Sequence, residues 1–110
     1  MKDQITYDDF TKLEMCIGTV VSAELVPETD KLIKCVVNFG ELGERTIVSG
    51  VAEWKSPEDL IGRQFPYVVN LAPRIIRGVE SQGMILAIRD KDGISLLNPD
   101  KEVESGAHIS

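Results

Sequence analysis

Residues 74–84 read RIIRGVESQGM and gather the side chains of this chain best suited to holding an anion. Arg74 and Arg77 carry forked guanidinium donors that match phosphate oxygens. Ser81 adds a hydroxyl and Met84 a polarisable thioether, while Gly78 and Gly83 bracket the polar run with positions that tolerate turns. This is the chemistry of binding rather than of bond breaking. No nucleophile has a base at motif spacing, no glycine-rich loop is built to cradle phosphate, and no carboxylate pair stands beside a metal motif. Cys16 and Cys35 are too far apart for a CxxC pair, and the single histidine, His108, lies near the far end of the chain. By residue count, neither a zinc site nor cysteine–histidine catalysis has its ligands. The expectation is a non-catalytic protein without metal or cofactor, its cysteines buried as reduced thiols; a cross-strand disulfide is the alternative.

A net charge of −6 over 110 residues argues, as a total, against a polyanionic partner. Its distribution argues otherwise. Residues 1–30 hold two basic and seven acidic side chains and residues 78–110 three and six, whereas residues 31–77 hold seven basic and five acidic. Whether a cationic site exists therefore depends on where Lys31, Lys34, Arg45, Arg63, Arg74 and Arg77 fall in space.

The elements that must position them are short strands. Tyr7–Leu13 suggests one helical turn, with Asp8 or Asp9 as its cap and Phe10 and Leu13 sharing one buried face. CIGTVVSAELV (16–26) is β-branched and interrupted by Gly18, which predicts a long strand that bends or bulges early. After the turn Pro27–Asp30, KLIKCVVNFG alternates with Ile33, Cys35, Val37 and Phe39 on one face. RTIVSGV (45–51) follows a hairpin loop at 41–44 and reads as a third strand. Ser56-Pro-Glu-Asp59 reads as a capped miniature helix, QFPYVVNL (64–71) as a fourth strand and MILAIRD (84–90) as a fifth. Asp92-Gly93 then turns the chain into a final apolar extension.

Three strands, a short helix and two strands is the order of the all-β OB-fold, a five-stranded Greek-key barrel. The pattern alone also permits an SH3-like barrel or a small sandwich. In the OB reading the barrel covers about residues 14–90 of a single domain spanning 1–110, with the extension at about 91–110. The loop between strands one and two then holds Lys31, and the loop between strands four and five holds Arg74 and Arg77. Both loops flank the face of strands two and three, where Lys34 lies, so the four cations converge at the usual oligonucleotide surface of that fold.

The phrases DFTKLEMCIGTVV, TDKLIKCVVNFGE, RTIVSGV, SPEDLIG, VVNLAPRIIRGVESQGMILA and SLLNPDKEVESGA, in this order, resemble the tRNA-binding domain appended to many methionyl-tRNA synthetases. The same domain occurs as standalone tRNA-binding proteins. The likeness runs from about Phe10 to Ile109 and is most specific at Asp30-Lys31-Leu32 and at the run from Asn70 to Met84. It implies an OB-fold with a C-terminal extension that binds tRNA by shape and pairs as a homodimer. It points to Lys31, Arg74, Arg77, Ser81 and Met84 as tRNA-binding residues. Two positions depart from the family pattern: Cys16-Ile-Gly18 stands where many members have Arg-Val-Gly, and Val26-Pro27 where many have His-Pro. One RNA-facing charge and one hydrogen-bonding ring are thereby lost.

Few aromatic residues are present. Tyr7, Phe10, Phe39 and Phe65 read as core or helix-packing positions, Trp54 as packing under the short helix, and Trp54 and Tyr67 as the two that could stack on a base. That scarcity suits a reader of folded RNA more than a single-strand binder. Each candidate also has a plainer role open to it. Lys34, Arg74 and Arg77 can be solvated charges, Ser81 can cap a turn, Met84 can be core, and Ile75 and Ile76 can anchor the loop with one of them buried. The expected function is tRNA binding in trans with, or beside, methionyl-tRNA synthetase. The alternative is a protein-binding chaperone of the CsaA type, which shares the fold and much of the sequence frame. An acidic N-terminus without a signal run and no apolar stretch of membrane length predict a cytoplasmic protein. A start at Met1 favours a standalone one. Ile94, Leu96, Leu97, Val103 and Ile109 predict an extension that covers the barrel edge and contributes, with the Phe10 turn, to a dimer interface.

Overall fold

The first strand, β1 (Met15–Leu25), is long enough to serve two neighbours. The computed structural model describes residues 1–110. Residues Met15–Thr19 of β1 pair antiparallel with β4 (Gln64–Val68), and Thr19–Leu25 pair antiparallel with β2 (Ile33–Asn38). A strand shared in this way must bend. The register shifts between Val20 and Ser22, so the bulge lies at Val21, later than Gly18 where the sequence suggested it. Gly18 serves packing instead. A Cβ there would stand 2.4 Å from Val37 Cγ1 and 2.6 Å from Phe39 Cε1, so only glycine lets the strand press onto the core.

Next to β2 runs β3 (Glu44–Ser49), reached through a 3₁₀ turn at Gly40–Leu42. Ile33, Cys35 and Val37 of β2 point inward and Lys34, Val36 and Asn38 are half-buried on the other face, the alternation the sequence carries. Phe39 and Tyr67 meet edge to face with ring centroids 5.2 Å apart at the centre of the barrel. Tyr67 is thus a core residue, 1% exposed, and not a surface for base stacking. Burial pushes its phenol pKa up, and pushes the Cys35 thiol up to about 11. Both cysteines are buried and free.

Beyond β4 the chain makes a small hairpin of β5 (Arg74–Ile76) and β6 (Val79–Ser81), then returns as β7 (Met84–Ile85) against β4. The sheet order is β3-β2-β1-β4-β7. Closure between β7 and β3 depends on the residues just before β7. Ser81 Oγ accepts from the Val48 N–H at 3.0 Å, the Gln82 N–H donates to the Thr46 carbonyl at 2.8 Å, and Gln82 Oε1 accepts from the Thr46 N–H at 3.0 Å. The result is the five-stranded OB barrel. The predicted fifth strand is divided at Leu86, whose N–H turns to the Pro66 carbonyl. It continues as β8 (Ala87–Asp90), which pairs with β9 (Gly93–Leu96).

Residues after β9 cover the part of β1 that β2 leaves open. The Ile17 N–H donates to the Ala107 carbonyl at 2.9 Å, the Gly106 N–H to Ile17 at 2.7 Å, and the Ile109 N–H to Met15 at 2.9 Å. A bare strand edge is thereby paired. At the other end, helix α1 (Tyr7–Phe10) is capped by Thr6, not by Asp8 or Asp9. Thr6 Oγ1 accepts from the Asp9 N–H, and the Asp9 carboxylate answers the Thr6 N–H. No helix is long and apolar enough to cross a membrane.

Candidate nucleic-acid interface

The hairpin β5–β6 turns on two residues, Arg77 with φ 51° and Gly78 with φ 80°. Positive φ at both central positions is the type I′ geometry that matches strand twist. The segment that reads in sequence as a loop is therefore a paired hairpin, with Arg74 opposite Ser81, Ile75 opposite Glu80 and Ile76 opposite Val79. Its guanidinium at the tip rides on a backbone that disfavours any Cβ by about 1–2 kcal/mol. Ile76 is half-buried and Ile75 is 69% exposed, so one isoleucine anchors the hairpin.

The other loop, between β1 and β2, is held with similar economy. The Val26 N–H donates to the Leu32 carbonyl, the Thr29 N–H to the Val26 carbonyl, and Thr29 Oγ1 accepts from the Lys31 N–H at 3.1 Å. The Lys31 carbonyl accepts from Ala52 beyond β3. Lys31 itself projects from a fixed turn. Glu28 in this loop has φ 65°, and it and Arg77 are the two non-glycine residues of the chain with positive φ. One strained position thus falls in the β1–β2 loop and the other at the tip of the β5–β6 hairpin.

Local partners then sort six of the seven central cations. Lys34 pairs with Glu24 across the β1–β2 ladder at 3.4 Å. Arg45 donates to the Val69 carbonyl, and Arg63 donates to the Asp59 carbonyl and to Asn98 Oδ1. Lys31, Arg74 and Arg77 form no ion pair, since Lys12–Asp9 is the other pair in the chain. Lys34 lies opposite Val48, Val48 is held by Ser81, and Ser81 lies opposite Arg74. With neighbouring strands about 4.8 Å apart, this row carries the surface from Lys34 to Arg74 in three steps.

Ser81 and Met84 play unlike parts in that row. Ser81 is 4% exposed, and its hydroxyl both accepts from Val48 and donates to the Gly83 carbonyl at 3.3 Å. A group so enclosed fixes the hairpin and does not present itself to a ligand, which corrects the expectation of a contact residue. Met84 is 45% exposed and, with Arg74, Ile76 and Leu71, rims a recess of about 70 Å³ above Ser81. Arg77 stands apart from that recess, at the hairpin tip. Trp54 packs on the β8–β9 turn rather than under the short helix, since a Cβ on Gly93 would meet its ring at 2.1 Å. Its ring also lies 5.9 Å from the Arg89 guanidinium. Tyr7, read from sequence as a packing residue, is 77% exposed, and Phe10 and Leu13, expected to share a buried face, are exposed too, because no other element covers this short helix.

Three positioning residues escaped the sequence reading. Gln82 bonds both backbone groups of Thr46, and Thr29 caps the first loop. Asn70 accepts from the Glu14 N–H at 2.8 Å and donates to the Lys12 carbonyl at 2.6 Å, tying the N-terminal segment to the end of β4. The available signal was an amide or hydroxyl side chain next to a turn, which names a kind of residue but not its partner.

The family model described as "Putative tRNA binding domain" matches residues 15–108. The chain belongs to this tRNA-binding domain family. Its domain is 50% identical over 100 residues to the methionine–tRNA ligase of Flavobacterium psychrophilum, an alignment that takes in 90% of this chain and 14% of that ligase. The chain thus spans about one seventh of the length of that curated relative. Among solved structures, a MetRS-related protein from Pyrococcus horikoshii superposes with a TM-score of 0.93 at 43% identity, covering 99% of this chain and 100% of that one. The chaperone CsaA from Bacillus anthracis does so with a TM-score of 0.89 at 34% identity, covering 98% and 100%. The family frame therefore extends through both loops and the extension, and the domain's likeness to a synthetase relative and to a chaperone relative is of the same structural order.

Proposed function

We propose that this chain is a non-catalytic tRNA-binding module that works in trans with, or beside, methionyl-tRNA synthetase in the cytoplasm. The observation that carries the proposal is that Lys31, on the hydrogen-bonded β1–β2 turn, and Arg74 and Arg77, on the β5–β6 hairpin, have no carboxylate partner in a chain whose net charge is −6. A rigid barrel that buries Phe39, Phe65 and Tyr67 in its core suits contact with the phosphates and 2′-hydroxyls of a folded RNA. Holding tRNA next to a synthetase raises its effective concentration there, so a weak module strengthens its partner's apparent affinity.

Gel-shift titration with folded tRNA tests this. Three phosphate contacts give a log–log salt slope of about −2 to −3. Arg74→Gln with Arg77→Gln is expected to weaken binding by about ten- to a hundredfold and to flatten the slope by about two contacts. Unchanged affinity and slope in a folded double variant would reject the site.

A second reading rests on the apolar members of the same surface. Leu71 and Met84 are exposed at the recess, and a solved CsaA chaperone has this fold at 34% identity. Under that reading the face captures unfolded polypeptide. Competition between folded tRNA and an unfolded chain for the protein separates the two, and displacement of bound tRNA by polypeptide at lower concentration would favour the chaperone. We further propose a homodimer. Ile94, Leu96, Val103 and Ile109 of the extension are half-buried within the chain, whereas Ile5, Tyr7, Phe10 and Leu13 are exposed, so the N-terminal segment offers more surface to a second copy. A monomer mass by light scattering at high micromolar concentration would remove the dimer and leave the RNA site standing.

A further inference from the structure

Counted along the sequence, this chain has too few ligands for zinc; folded, it brings three of them together. The extension lays His108 beside Cys16 as bridge partners, and backbone bonds on both sides, Ile17 to Ala107 and Ile109 to Met15, fix the pairing. Cys16 Sγ and His108 Nδ1 are 3.7 Å apart, and a Glu14 carboxylate oxygen completes a set in which all three atoms lie within 4.8 Å of one another. We propose that Glu14, Cys16 and His108 form a binding site for zinc, with the fourth position open to water.

Size, charge and access agree. Zinc bonds of about 2.3 Å to sulfur and about 2.0–2.1 Å to nitrogen, set at the tetrahedral angle, separate S and N by about 3.6 Å. The two atoms already span that gap within about 0.1 Å, and the exposed Glu14 carboxylate oxygen lies within 4.8 Å of both. One thiolate and one carboxylate balance the charge of a divalent ion. Sulfur and imidazole ligands select a borderline-soft cation such as zinc over magnesium or calcium. An open depression of about 510 Å³ adjoins the site, lined by Glu14, Glu41, Glu104 and His108. Its three carboxylates draw cations toward the rim, and it supplies the entry path. Bound there, zinc joins β1 to the extension and fastens residues 104–109 to the barrel.

Cobalt(II) added to the reduced, metal-free full chain reads sulfur ligation directly, through a thiolate-to-metal charge-transfer band in the near ultraviolet. Tetrahedral geometry is read from the intensity of the visible bands. One equivalent is expected to saturate both signals, and zinc is expected to displace it. Cys16→Ser should abolish the charge-transfer band and Cys35→Ser should retain it, while His108→Gln and Glu14→Gln should each weaken zinc binding by about tenfold or more. A band absent from the parent chain, or one that survives Cys16→Ser, overturns the site. So does unchanged zinc affinity in His108→Gln; because His108 is exposed, that variant reads the proposal even where Cys16→Ser impairs folding.

Discussion

The two ends of the run from Arg74 to Met84 differ in what their polar atoms do. At the Ser81–Gln82 end the hydrogen bonds are internal: a hydroxyl and an amide side chain take over edge-strand groups of β3 that a continuous ladder would otherwise satisfy. At the Arg74–Gly78 end the guanidinium groups have no carboxylate partner and the backbone turns through positive φ. One half closes the barrel and the other is presented by it. The difference teaches that adjacent residues of one motif can be fixed by unlike demands, folding at one end and, under the proposed function, recognition at the other. Variants that separate stability from tRNA affinity test the division.

The largest effect belongs to Gly83. A Cβ there would stand 3.0 Å from the Val68 carbonyl oxygen and 3.1 Å from Ile47 Cδ1, at a φ of 155°. Gly83→Val is expected to lose about 3 kcal/mol of stability, from overpacking and backbone strain together, and to lower Tm by about 10 °C or more. A variant as stable as the parent would show that the seam tolerates a side chain and that closure is looser than its bonds imply.

Alkaline pH comes next and acts on the interior alone. The buried Cys35 thiol, pushed up to about 11, keeps its proton in the folded state while the unfolded chain gives its own up near the ordinary thiol value of about 8.5. Its contribution is therefore complete below that value and is lost as pH rises through the folded one, by about 3 kcal/mol. Tyr67, raised by the same burial, acts in the same direction at higher pH. Denaturant midpoints measured from pH 8 to 11 should fall more steeply in the parent than in Cys35→Val. Equal slopes would mean that the thiol is not held in a dry core.

Ser81→Ala follows, at about 1–2 kcal/mol, because it leaves the Val48 N–H inside the protein without its acceptor. Since the hydroxyl faces inward, tRNA affinity of the folded variant at low temperature should stay within about threefold of the parent, under one kcal/mol. A large loss of affinity with little loss of stability would make Ser81 a contact residue after all.

How much of this was legible in the sequence follows the range of the interactions. The barrel was, because strand alternation in β2 and the three-strand, turn, two-strand order depend on local pattern, and Ser56 and Asp59 announced their capped turn in four residues. The bulge position was not. Gly18 marks both a bend and a close approach in sequence, and only the neighbours Val37 and Phe39 show that packing is its use. Tyr67 and Tyr7 were misjudged for a related reason, since an aromatic residue in a strand and one in a terminal turn differ by what covers them. The hairpin at Arg77 was hidden because Arg-Gly is an uncommon way to write a type I′ turn. The meeting of Cys16 with His108 rests on a contact across 92 residues, which no spacing rule reaches.

That Arg-Gly turn yields the smallest and most discriminating test. Asparagine tolerates the left-handed conformation better than arginine, and Asn-Gly is a preferred pair for this turn. Arg77→Asn should therefore stabilise the hairpin by about 0.5–1 kcal/mol, half or less of the strain of a left-handed residue. The same change removes one cation, so tRNA binding should weaken and the salt slope should lose about 0.7–0.9. Opposite signs for stability and affinity are hard to produce by general damage, which lowers both. A variant that gains stability and binds tRNA as the parent does would leave Arg77 as a costly turn residue with no ligand, and would move the recognition half of the motif to Arg74 and Lys31.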